Sequence, residues 1–209
     1  MVAAITEKQV QAEYVATALG WWRESNGVVS ANDRKLDRLF GMIQICANGN
    51  DVWPPEYLYI GQDCEILQLY GPDFCKTAPG QRGVPDAGYE NAVNGGYLDA
   101  AASRQAHISH VKGRTVGLGG TPLWMEYQRL ILPGSLSNGV PVFLTFAKLI
   151  RLFRIISNAK SPTCRLKLEF QATRSAKNRA RLEWIVLEAG RALRRSQKKN
   201  LFLAMWLRV

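Results

Sequence analysis

Histidine is scarce in this chain, and it leaves acid–base chemistry little to work with. The 209 residues contain two, His107 and His110, and the carboxylates are dispersed. General acid–base and nucleophilic catalysis need a base set beside its partner, and no such constellation emerges, so no enzymatic activity is expected. The four cysteines (Cys46, Cys64, Cys75, Cys164) include no C-x-x-C pair. That spacing argues against a zinc site or a disulfide framework and leaves reduced thiols as the expectation. No uninterrupted apolar run approaches the roughly 18–20 residues that span a bilayer. The first residues, MVAAITEKQVQAEY, bring in charge early and lack the apolar stretch of a secretory signal. The expected compartment is the cytoplasm. There is no internal repeat.

What is present belongs to a folded protein. The chain is 47% hydrophobic and 10% aromatic, a composition that sustains a core. Its net charge of +10 is unevenly spread. Residues 148–209 hold 16 Lys/Arg against 3 Glu, leaving 11 basic and 14 acidic residues in 1–147. A mildly acidic body thus carries a strongly basic extension, and such asymmetry marks segments with different jobs. The reading divides the chain into N-terminal amphipathic helices (1–52), an α/β domain (53–150) and a basic helical extension (151–209).

Val10, Tyr14, Ala18 and Trp21 or Trp22 recur at helical spacing in the first segment. Asn32 or Asp33 then caps a second helix with Leu36, Leu39, Phe40, Ile43 and Cys46 on one face. Beyond Pro54 and Pro55 the period changes. Residues 56–60 and 64–70 read as two short strands joined at Gly61–Asp63 into a hairpin. GPDFCKTAPGQRGVPDAG is a long connection, and YENAVNGGYLDAAASRQ a helix with Tyr89, Val93, Tyr97 and Ala101 on one stripe. Three strands follow, at 106–111, 121–133 and 139–150.

YLYIGQDCEILQLYGPDF, YENAVNGGYLDAAASRQ and WMEYQRLILPGS resemble the first hairpin, long helix and penultimate strand of the PAS-like family, in its stand-alone proteobacterial members. The resemblance covers about half the chain, and Arg129-Leu-Ile-Leu-Pro133 is its most specific part. It implies an α+β fold, with a five-stranded antiparallel sheet and helices on one face. It also implies a non-enzymatic sensory or regulatory role, usually as a dimer or docked to a partner protein, with a small-molecule pocket on the helix side in some members. It names no cofactor. Fold does not determine function.

On that expectation Tyr97, Met125, Tyr127 and Arg129 are the candidate pocket residues. Met125, Tyr127, Arg129 and Ile131 alternate onto one strand face, and Glu126 falls on the other. If the first face looks into the pocket, Arg129 can hold an acidic ligand; otherwise it forms a salt bridge at the sheet surface, the reading favoured by residue type alone. Asp-Cys64-Glu-Ile-Leu-Gln superficially resembles the flavin-binding Asn-Cys-Arg-Phe-Leu-Gln of light-oxygen-voltage domains. There the cysteine follows the first two strands, on a helix, whereas here it is expected inside a hairpin, as a structural thiol. His107 and His110, three apart on a strand, face opposite sides and do not share a metal; either alone could ligate a haem. Gly117-Leu-Gly-Gly120 lacks the Lys-Ser/Thr of a phosphate loop and reads as a connector. Trp21, Trp22 and the Leu36 stripe are packing surfaces that close the sheet or form a dimer seam. In the basic extension, Leu182, Ile185, Ala189 and Leu193 share a helical face. It could meet nucleic-acid phosphates or an anionic membrane, or serve as a solvated or partner-packing helix. A basic-tailed nucleic-acid-binding regulator is therefore the alternative function.

Overall fold

The computed structural model describes residues 1–10, 12–30, 33–48, 55–76 and 86–155. The chain opens with β1 (Val2–Ala4), a 3-10 turn at Glu7–Gln9, α1 (Glu13–Ser25), β2 (Val28–Val29) and α2 (Arg34–Asp37). Strands β3 (Ile43–Ala47) and β4 (Tyr57–Ile60) come next, then α3 (Leu67–Tyr70), a 3-10 turn at Pro72–Lys76 and α4 (Ala87–Ser103). Three long strands complete it: β5 (His107–Val116), β6 (Pro122–Leu136) and β7 (Pro141–Arg154). The fold is α+β, built on one seven-stranded sheet ordered β1-β5-β6-β7-β3-β4, antiparallel along that path. The seventh strand, β2, adds to β6 in parallel through two residues.

Local chemistry explains the boundaries that the sequence marked well. The Asp33 carboxylate accepts from the backbone N–H groups of Lys35 and Leu36, capping α2, and Asp86 caps α4 through Tyr89 N–H. α1 ends where Asn26 turns left-handed at φ 52°, a conformation asparagine tolerates better than most residues. Gly139, at φ 81°, closes the β6–β7 hairpin.

Two expected elements change type. The second helix stops after one turn, and Ile43 and Cys46, expected on its face, lie in β3 instead. Residues 64–70 are a turn leading into α3 rather than a strand. The first hairpin is therefore β3 with β4, Ile45 opposite Tyr59, and not 56–60 with 64–70. A short apolar run satisfies helix and strand spacing alike, and non-local contacts decide it here. Gly61 lies so close to Gly41 that a Cβ would sit 2.2 Å from the Gly41 carbonyl oxygen, which also accepts from Asp63 N–H. The chain is thereby turned out of the sheet after β4. The last strand also runs past its expected end at 150 to Arg154. The rest of the basic extension, with its Leu182–Leu193 face, lies outside the described residues.

The sheet is covered on both sides. Val15, Ala18, Leu19 and Trp21 of α1 share a core with Ile43, Ile45, Leu130, Leu132, Leu144 and Phe146. Large apolar side chains like these each contribute about 1.5–3 kcal/mol on burial. α1 thus closes one face within a single chain, and Trp22 Nε1 donates to the Pro133 carbonyl at 2.7 Å. On the other face, Val93, Tyr97 and Ala100 of α4, with Leu69 and Tyr70 of α3, lie over Val111, Met125, Tyr127, Ile131 and Phe143.

Candidate ligand-binding site

α4 does not pack flush against the sheet. Its stripe of Tyr89, Val93 and Tyr97 faces the β6 residues Met125, Tyr127 and Arg129 across a cavity of about 70 Å³. Thr145, Ala147 and Leu149 of β7 form the floor beside β6, and Tyr57, Ile66, Leu69 and Tyr70 close the side toward β4 and α3. The period-2 alternation of β6 puts Met125, Tyr127 and Arg129 on this face. All four residues singled out from the sequence, Tyr97, Met125, Tyr127 and Arg129, line the one cavity.

Arg129 dominates its electrostatics. It is only 4% exposed, not a sheet-surface residue. Its Nη2 donates to the Val93 carbonyl at 2.7 Å, and its guanidinium lies 5.2 Å from the centre of the Tyr97 ring, within cation–π range. The buried Nε has no hydrogen-bond partner, and no ion pair joins Arg129 to any described carboxylate. The surface salt bridge favoured from residue type is therefore replaced by a buried, uncompensated cation. Burial works against that charge, but the phenols of Tyr127, Tyr97, Tyr89 and Tyr57 favour it, and its pKa stays above the ordinary arginine value.

The phenols form the rest of the polar lining. Tyr97 Oη bonds Thr145 Oγ1 at 3.1 Å, and Tyr89 Oη bonds Tyr127 Oη. Burial pushes Tyr70 up to about 12 and raises Tyr57, Tyr89 and Tyr97 well above the ordinary tyrosine value. These four remain neutral at physiological pH. Glu65 at the rim pairs with Lys148 at 3.2 Å, and burial raises the Glu90 carboxyl.

The remaining sequence candidates fall elsewhere. His107 lies against α4, 3.7 Å from Asp99, and burial followed by repulsion from Arg129 lowers its pKa. His110 is on the opposite face, 2.9 Å from Glu126, which also meets Lys112 at 3.0 Å and Arg151 at 3.6 Å. Among the described residues, no three His, Cys, Asp or Glu side chains are grouped to hold a metal. Cys64 follows the β3–β4 pair and leads into α3, contrary to the hairpin expectation. Its Sγ, however, donates to the Ile43 carbonyl at 3.2 Å, and it is not a lining residue. Gly117–Gly120 connects β5 to β6, with a 3-10 turn at Leu118–Gly120.

Tyr57, Tyr70, Tyr89 and Thr145 also line the cavity but are not singled out as pocket residues by the sequence. The Tyr89-Val93-Tyr97 stripe was a usable signal for one of them. Tyr57 and Tyr70 had none, because their approach depends on the turn after β4.

The geometry defines a class: an α+β protein with an aromatic, singly cationic cavity between one helix and its sheet. Comparison with protein-family models, curated proteins and solved structures gives no match for the chain.

Proposed function

We propose that this chain is a non-enzymatic sensory or regulatory protein of PAS-like architecture that acts by binding a small ligand between α4 and the sheet. The observation that carries the reading is the cavity, with Tyr97 and Arg129 on opposing elements. Such a pocket links occupancy to the position of a helix. The succession β3, β4, α3 with its 3-10 turn, α4, then β5, β6 and β7 supports the architecture. It follows the family's order of two strands, an irregular helical segment, a helix and three antiparallel strands. Output passes to a partner protein or a second copy. That contact uses surfaces other than the apolar face of α1, which the sheet occupies.

Native mass spectrometry of the purified full chain, together with its absorption spectrum, tests the reading. A stoichiometric mass increment lost on denaturation, or binding of an added ligand that shifts resonances of α4 and β6, is the expected result. Failure of every small molecule to perturb those elements overturns it.

A further inference from the structure

We propose that the cavity takes a small monocarboxylate with a short apolar body, its carboxylate seated against Arg129. This rests on the ligand-binding reading above and deepens it.

A buried cation is ordinarily paired, because the cost of stripping its water is otherwise uncompensated. Arg129 is buried, and its one hydrogen bond goes to a neutral carbonyl. Its Nε lacks a partner. No described carboxylate forms an ion pair with it. Glu65 is engaged by Lys148. Glu90 of α4 also lines the cavity but forms no ion pair with Arg129, and the four shifted phenols are un-ionised. His107, beside Arg129, is disfavoured in its charged state. Arg129 is therefore a buried cation with no ion-pair partner among the described residues, set among neutral phenols and hydrocarbon with Glu65 and Glu90 also in the lining.

That balance selects a monoanion. A dianion such as phosphate would bring one uncompensated charge into a poorly solvated space. The planar guanidinium matches the carboxylate plane. Met125, Val93 and Leu69 on the remaining wall call for hydrocarbon. The modest volume keeps that body short.

Calorimetric titration of the full chain at neutral pH and constant ionic strength tests this with butyrate, hexanoate and benzoate, their primary amides, and inorganic phosphate. At least one acid should bind about tenfold or more tightly than its amide, the difference a charge-assisted hydrogen bond makes. Arg129→Gln should erase that preference, and Arg129→Lys should retain part of it. If Arg129→Gln does not fold, the acid–amide comparison on the native chain and Arg129→Lys decide. Amides binding as tightly as acids, phosphate binding more tightly than the acids, or an acid preference that survives Arg129→Gln would each overturn the carboxylate assignment and leave the cavity as a ligand site. Binding of neither acids nor amides overturns the carboxylate assignment, and the ligand-binding reading then stands or falls on the mass-spectrometric test above.

Discussion

Gly96 of α4 sits directly over the Arg129 guanidinium. A Cβ at position 96 would lie 2.8 Å from Arg129 Nη2 and 3.0 Å from His107 Nε2. The glycine in mid-helix is what lets the cation reach the Val93 carbonyl. Its neighbour Gly95 has open space, with nothing within 4 Å of its added Cβ.

The two glycines therefore separate propensity from site geometry. Gly95→Ala should stabilise the protein by about 0.5–1 kcal/mol, the ordinary helix gain. Gly96→Ala should forfeit that gain and displace Arg129, weakening carboxylate binding. Urea denaturation and the calorimetric titration measure the two effects. Equal stabilisation by both alanines, with binding unchanged, would refute the close approach.

Two titrating groups give pH windows of known sign. His107 has a lowered folded pKa, so the folded state resists its protonation. Its contribution is intact above the ordinary histidine pKa of about 6.5 and is lost as pH falls below it. Glu126 also has a lowered folded pKa, chiefly through its hydrogen bond from Lys112. Its contribution is present above the ordinary carboxylate value of about 4.3 and is lost as pH falls through the folded pKa. His107→Gln should flatten the stability profile between neutral and mildly acidic pH. Glu126→Gln should flatten it only at lower pH. Denaturation curves across the range check both.

Tyr97 serves packing and polarity together. Tyr97→Phe removes the bond to Thr145 Oγ1 and should cost about 1 kcal/mol. The ring that faces Arg129 remains, so carboxylate binding should change little. Tyr97→Leu removes the ring as well and should weaken both. A double-mutant cycle with Thr145→Val isolates the hydroxyl pair, and zero coupling would exclude that bond.

The last residues of β7 belong to the sheet. Arg151, Leu152, Phe153 and Arg154 pair with Glu126, Met125, Trp124 and Leu123. Deletion after Ile150 should cost about 1–3 kcal/mol more than deletion after Ile155, from the lost cross-strand pairs. Thermal melts distinguish the two. The same Ile155 truncation tests the nucleic-acid alternative, because steeply salt-dependent binding to duplex DNA that disappears with residues 156–209 would place phosphate contacts there.

Periodicity and capping chemistry in the sequence account for α4, the three long strands and the shared face of Met125, Tyr127 and Arg129. Those signals are local: a side chain's direction along a strand alternates whatever lies above it, and an aspartate caps the turn beside it. The first hairpin was not legible in the same way. Ile43–Ala47 and Leu67–Tyr70 are runs of four or five residues whose spacing fits either element, and their identity depends on Gly61 meeting Gly41 across the fold. The state of Arg129 was also undecided. Alternation placed it on a face, but only the laying of α4 over that face, with no described carboxylate in ion-pair contact, made it a buried cation in a cavity. Burial and counter-charge depend on residues far apart in the chain, and only tertiary packing brings them together.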